Sequence, residues 1–476
     1  MKVVIIGAGP AGLTATYQLS KQIGRQVESV QLYEANSYVG GMSTSLRLWN
    51  QIVDLGPHRF FSNDSQVNQL WFEIVESEYE MVKRLTRIYY NKKFFYYPLK
   101  PLNTLKNLGT WEALRCVASY IPYKMGLHKQ DTDTFEGWVT QKFGKRLFNI
   151  FFKTYTEKLW GIPCDELDAD FAMQRIKKLS LSEAILSAIN LIDNKKHKTL
   201  VDEFAYPKYG TGYVYQKMYQ KCVEMGAKVY LQTPVGSIKI DKQKVQGIVL
   251  REGKFIPADI VISSMPLSLL VLQIPDLPEQ IRQEVAKLRY RNTILVYLNV
   301  DSSYLFPDQW IYIHDKDLKT GRVTNFRNWL PTLYGEEKTT ILCMEYWCYD
   351  EDVLWQMSED ALINLASQEL YKTGLVSHHT KVIAGKVIKL HRSYPVYFKD
   401  YKTILEPVQD YINKIANLYA IGRYGAYKYN NQDHSIMMGI KVVENVLNNA
   451  QHDLWAINTD YDTYQEKGSI KEHKWI

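Results

Sequence analysis

Apolar residues fall along this chain in three patterns, and each predicts a different kind of element. The first is a short β-branched run, Val3-Val4-Ile5-Ile6, apolar on both faces and so read as a buried parallel strand. Leu13, Tyr17 and Leu19 begin a helical pattern behind it, and Val30-Gln31-Leu32-Tyr33 reads as the next strand. The second pattern is amphipathic. Val67, Leu70, Trp71, Ile74 and Val75 recur with the helical period, behind the capping cluster Ser62-Asn63-Asp64-Ser65. The pattern then stays mostly helical as far as 199, interrupted by Phe94-Phe95-Tyr96-Tyr97-Pro98, which reads as a strand or a lining segment. The third pattern is β-like and lies between 285 and 390, as in Thr293–Leu298 and Thr339–Tyr346. Near the end, Leu418–Ile421 reads as a strand and Ile436–Leu447 as a helix.

Composition narrows the class. With 46% hydrophobic and 23% charged residues the chain is neither disordered nor repetitive. Its best apolar stretch, Ile260–Ile274, contains Pro266 and falls short of the ~18 residues a membrane span needs, so no span is expected. Met1-Lys2 runs straight into the first strand pattern and its glycines, which predicts a strand and not a signal peptide. Five scattered cysteines, none in a CxxC pair, argue against a disulfide framework or a zinc site and for a reducing, cytoplasmic location; no metal is expected. A net charge of +7 favours anionic small-molecule partners but is too weak to imply nucleic acid.

The chemistry begins where the first strand ends. Gly7-Ala8-Gly9-Pro10-Ala11-Gly12 follows it directly, and Glu34, about 20 residues past Gly12, closes the second strand. Gly7 allows the tight turn, Gly9 lets backbone approach a pyrophosphate, and Gly12 packs helix on strand. The helix start offers N–H groups to phosphates, and Glu34 would accept from ribose hydroxyls. This motif alone fits NAD or FAD. Gly40-Gly41-Met42-Ser43 lengthens the groove, and Gly422-Arg423 with Asp433-His434-Ser435 supplies a second strand-to-helix turn, so FAD is favoured. The expected fold is α/β: a discontinuous Rossmann-like FAD-binding domain (1–62, 200–284 and 386–455), a mostly helical insertion (63–199), a β-rich substrate domain (285–385) and a polar tail (456–476).

These residues resemble the FAD-containing amine oxidase and protoporphyrinogen oxidase superfamily. In it an N-terminal glycine motif and a C-terminal Gly-Arg segment bind the cofactor. Val229–Val235 resembles the strand whose backbone, at Val235, receives adenine, and Ala258–Ile262 with Pro266 resembles another superfamily segment. Several segments are most similar to UDP-galactopyranose mutases. Gly56-Pro57-His58-Arg59-Phe60-Phe61 resembles their GPHIFH, with Phe61 replacing the second histidine. Tyr155–Gly161 resembles YTxKxWG, which implies uracil stacking for Tyr155 and a sugar or diphosphate contact for Trp160. Arg175 and Arg322 match the family's two diphosphate-binding arginines, with Arg327 an alternative for the second. Tyr206–Tyr213 resembles a PKxGYT turn with altered spacing. Gly422–Asp433 resembles GRLGxYRYxDMD, which puts Tyr427 and Tyr429 near diphosphate and flavin; Asn431 and Gln432 depart from it.

The resemblance implies a flavin-dependent nucleotide-sugar mutase interconverting pyranose and furanose forms. It also implies a nucleotide-diphosphate sugar as substrate and NAD(P)H as a possible reductant. Its catalytic set is His58, Tyr155, Trp160, Arg175, Arg322, Tyr427 and Tyr429. The same scaffold admits a second reading, FAD-dependent oxidation of an amine or a porphyrinogen-like substrate.

Overall fold

The computed structural model describes residues 1–128, 131–176 and 203–458. Five parallel strands form the cofactor sheet, in spatial order Leu418–Ala420, Ile260–Ser263, Lys2–Ile6, Ser29–Tyr33 and Lys228–Tyr230. Three distant stretches of chain therefore supply one sheet. Its central strands are buried on both faces, which is why Val3–Ile6 is a continuous apolar run. The helices Pro10–Ser20 and Gln432–Asn448 cross closely on one face. A Cβ added at Gly439 would come within 2.7 Å of the Ala11 carbonyl, so glycine there sets the approach of the chain's two ends.

A seven-stranded sheet stands beside it. Its longest strands are Tyr290–Val300, paired antiparallel with Thr340–Cys348 on one side and with the edge strand Val382–Pro395 on the other. The strands Thr86–Tyr90 and Lys93–Tyr96 join its far edge. Of the segment Phe94–Pro98, expected as a strand or a lining segment, Phe94–Tyr96 falls on the second of these strands. Residues 386–395 belong to this sheet and not to the cofactor unit, and the stretch expected to be mostly helical contributes two of the strands. The long-range pairing decided both, and local pattern carries no information about it. The amphipathic helix forms over Ser65–Val75, with Asp64 capping the Val67 N–H.

Candidate active site

The cofactor cradle is built from backbone. Gly7 sits at φ +96°, where a side chain would be strained and would strike Ser264. A Cβ at Gly12 would collide with the Gly7 carbonyl, so the helix can start tight against the strand. A Cβ at Gly9 would meet nothing within 4 Å, which leaves its backbone bare on the open side. No side chain caps the N-terminus of the helix Pro10–Ser20, so its first N–H groups are available to an anion. Ala8 N–H donates to Glu34 Oε2 at 2.7 Å, while Asn36 donates twice to Oε1. Gly40 N–H donates to the Ala8 carbonyl at 2.8 Å, and the backbones of Gly41 and Gly9 face each other. Met42 and the buried Ser43 follow in a single 3-10 turn. This donor set and bare glycine backbone fit a dinucleotide pyrophosphate with its ribose at Glu34.

The far end of the cradle is more committed to the protein itself. Val235 opens the strand Val235–Asp241, and its carbonyl accepts from Gln273 Nε2 at 3.2 Å. Gly422 packs on Ala11 of the first helix. The Arg423 guanidinium donates to the carbonyls of Ser393 and Asn430 and lies over the rings of Tyr394 and Tyr429 at 4.7 and 4.5 Å. Arg423 thus locks the turn that carries the site. Asp433, His434 and Ser435 lie in the first turn of the helix Gln432–Asn448. That terminus is capped from within, by Asn431 and by His434 Nδ1, which accepts from the Asn431 N–H. The side-chain amide of Gln432 is tied through Oε1 to Tyr215 and Thr211, and its Nε2 is buried without a partner.

On the substrate side, strand pairing sets Arg322 opposite Glu345. The guanidinium makes two parallel hydrogen bonds to the carboxylate, at 2.6 and 2.5 Å, with the Glu345 side chain only 2% exposed. Burial works against the charge of Arg322, but the Glu345 carboxylate outweighs it and holds the guanidinium firmly protonated. Gly56 lies against the same carboxylate, so His58, two residues on, falls into this field. Burial, then Arg322, then Arg423 push the His58 imidazole down to about 3, against a small opposing effect of the Gly56 carbonyl. His58 is therefore neutral, and its buried Nδ1 has no well-formed hydrogen bond.

An aromatic wall faces these charges. A short π turn, Asn149–Lys153, leads into the helix Thr154–Trp160. Lys158 anchors that helix by donating to the carbonyls of Ile313, Asp315 and Thr320, and burial lowers its ammonium to about 8. Arg291 closes its C-terminus on the carbonyls of Lys158 and Leu159. Tyr155 stacks on His314, with Trp347 edge-on at 5.6 Å. Trp160 stacks on Tyr397, and Tyr429 stacks on Tyr394. The ring N–H groups of Trp160 and Trp347 and Nδ1 of His314 are buried without partners, an accumulation of unspent polar atoms along one wall.

The structure therefore gathers His58, Arg322, Arg423, Tyr155, Trp160 and Tyr429 in one neighbourhood. Tyr427 is different. Its hydroxyl is already spent on the carbonyls of Arg289 and Val396, at 2.7 and 3.0 Å, so it serves here to hold those two segments. Arg327 is spent on the carbonyls of Glu337 and Thr339 and covers Tyr334. Arg175 lies on the helix Asp170–Ile176, with its side chain outside the described residues. Glu345 and Gln432 were missed as candidates. A lone acid in the apolar run Ile341–Cys348 was the available signal for Glu345.

Fold and site define a flavoprotein with a dinucleotide cradle beside a cluster of polar and aromatic side chains. The chain belongs to the flavin containing amine oxidoreductase family, whose model matches residues 10–447, and its cofactor is FAD. A crystal structure of reduced UDP-galactopyranose mutase superposes with a TM-score of 0.83 at 22% identity, covering 97% of this chain and 98% of that one. A "probable UDP-galactopyranose mutase" of Klebsiella pneumoniae is 27% identical over 176 residues, 35% of this chain and 43% of that protein. Coproporphyrinogen III oxidase of Staphylococcus aureus is 24% identical over 273 residues, 52% of this chain and 57% of that enzyme. The aligned stretches thus span about half the length of these curated relatives. Among the described residues no helix is long and apolar enough to cross a membrane.

Proposed function

We propose that this flavoenzyme is a nucleotide-sugar mutase that interconverts pyranose and furanose forms of a sugar held on a nucleoside diphosphate. The observation that carries the reading is that two guanidinium groups, Arg322 in its fork with Glu345 and Arg423 over the rings of Tyr394 and Tyr429, stand beside a neutral His58. Two guanidinium groups against the one buried carboxylate of Glu345 leave a net positive charge there, which favours an anionic diphosphate over a protonated amine. Arg322 sits ready to hold the diphosphate, with Glu345 fixing its fork in place. Tyr155 offers a ring to a base, and the buried N–H of Trp160, which has no partner, is a polar atom of this wall left for a sugar hydroxyl. When bound and reduced, the flavin supplies the nucleophile for the anomeric carbon, which removes any need for a protein nucleophile. The residues then have to hold leaving group and sugar in register through ring opening and closure. NAD(P)H is the proposed reductant and the cytoplasm the proposed location; the five cysteines, all buried and free, agree with a reducing compartment.

One observation favours the second reading, oxidation of an amine or porphyrinogen-like substrate. The stacked rings of Trp160, Tyr397, Tyr394 and Tyr429 also suit a flat or apolar substrate. The test separates the two. Protein with its flavin chemically reduced under anaerobic conditions is incubated with nucleotide sugars, UDP-galactose included, and followed by proton NMR. The mutase reading expects a furanose isomer that forms only with reduced flavin. Full flavin occupancy with no isomer from any donor overturns it, and flavin reduction by amines or porphyrinogens then supports oxidation.

A further inference from the structure

The helix Thr110–Lys124, within the inserted segment, is apolar on two opposite faces. Ala113, Cys116, Tyr120 and Tyr123 turn inward and are buried. On the other face Trp111, Leu114 and Ile121 are 72%, 59% and 48% exposed, and Met125 and Leu127 just beyond the helix are 66% and 69% exposed. A helix on the surface of a globular protein ordinarily carries charge there. Single exposed apolar side chains need no explanation, but a contiguous stripe along one helix does.

The charges around the stripe are ordered. At the helical period Arg115 borders it on one side and Lys124 on the other. The helix's acid, Glu112, turns toward Arg146, which holds it at 2.7 Å, and Arg115, 58% exposed, pairs with it only loosely at 3.9 Å, so the basic edge keeps its net charge. Lys106 and Leu105, both exposed on the preceding helix Pro101–Leu108, extend the same composition. A second copy of this chain seated on the stripe would set basic edge against basic edge, which opposes self-pairing.

We propose that this face docks on an anionic lipid bilayer, with the helix lying in the plane of the headgroups. Its apolar stripe enters the acyl boundary while Arg115 and Lys124 stay at the level of lipid phosphates. Trp111 provides the amphipathic ring suited to that depth. At 15 residues the helix is shorter than the ~20 a span requires, so the attachment is peripheral.

Flotation of the FAD-loaded protein with lipid vesicles tests this. Protein is expected to float with vesicles of phosphatidylglycerol in phosphatidylcholine, and much less with phosphatidylcholine alone. The double variant Leu114→Glu/Ile121→Glu and the double variant Arg115→Glu/Lys124→Glu should each weaken partition by roughly tenfold or more. Both should keep the flavin absorbance and nearly the melting temperature of the wild type, since every changed side chain is exposed and the one ion pair lost, Arg115 to Glu112 at 3.9 Å, is a surface pair. Failure of the wild type to float with anionic vesicles overturns the proposal, as does flotation that neither variant reduces. Self-association lost in Leu114→Glu/Ile121→Glu, without flotation, would assign the stripe to protein contact and overturn it as well.

Discussion

At the scale of single residues, the site rests on charges whose partners fix their state. Arg322 stays charged and Glu345 stays buried because each satisfies the other in a two-point contact. Removing one partner leaves the other charge stranded, which costs about 3–5 kcal/mol for a buried pair. Glu345→Gln should therefore lower the melting temperature sharply. It should also make stability responsive to anions, because the freed Arg322 fork matches a phosphate. Added pyrophosphate is expected to raise the melting temperature of Glu345→Gln more than that of wild type, read by calorimetry on the FAD-loaded protein. Equal shifts in the two proteins would show that Arg322 does not face the diphosphate site.

At the scale of elements, the turn between the first strand and the first helix decides whether FAD stays. Gly12 touches the Gly7 carbonyl so closely that any Cβ must push the helix outward. Gly12→Ala should thus purify with little flavin, judged by visible absorbance against protein, and a flavin content equal to wild type would refute the packing argument. This turn was legible in the sequence because strand, glycines, helix and Glu34 are local and evenly spaced. The helix behind Asp64 was legible for the same reason: its cap and its period lie in one short stretch. The role of Tyr427 was not. The motif around it looks like a substrate segment, but the carbonyls that take its hydroxyl belong to Arg289 and Val396, far off in sequence. Arg423 shows the same limit, since its carbonyl partner at Ser393 becomes a neighbour only after the fold closes. Sequence pattern thus reports contacts made within an element and is silent on those made between elements.

At the scale of the whole molecule, one buried carboxylate ties the hairpin Ser45–Asp54 and the strand Glu203–Pro207 to the large sheet. Asp54 accepts from Ser45 and Tyr206 hydroxyls and from the Thr211 N–H, while its own carbonyl takes the Tyr297 hydroxyl from the large sheet. Complete burial raises its carboxyl from the ordinary 3.8 to about 7, and those hydrogen bonds offset the rise only in part. Between these two values the folded chain holds a proton that the unfolded chain has released. Folding therefore takes up a proton across that window, and stability falls as pH rises from about 4 through 7, by at most about 1.4 kcal/mol per pH unit. Asparagine keeps the shape and cannot ionise. Thermal unfolding of wild type and Asp54→Asn, followed between pH 5 and 8, should show a decline in wild type that is flatter in the variant. Parallel curves would mean that Asp54 does not titrate there and that other groups carry the decline. The flatter curve would mean that, at neutral pH, this junction of the Ser45–Asp54 hairpin with the large sheet is held by a carboxyl close to its own titration point. A modest change in pH would then act on the junction itself and not only on the surface.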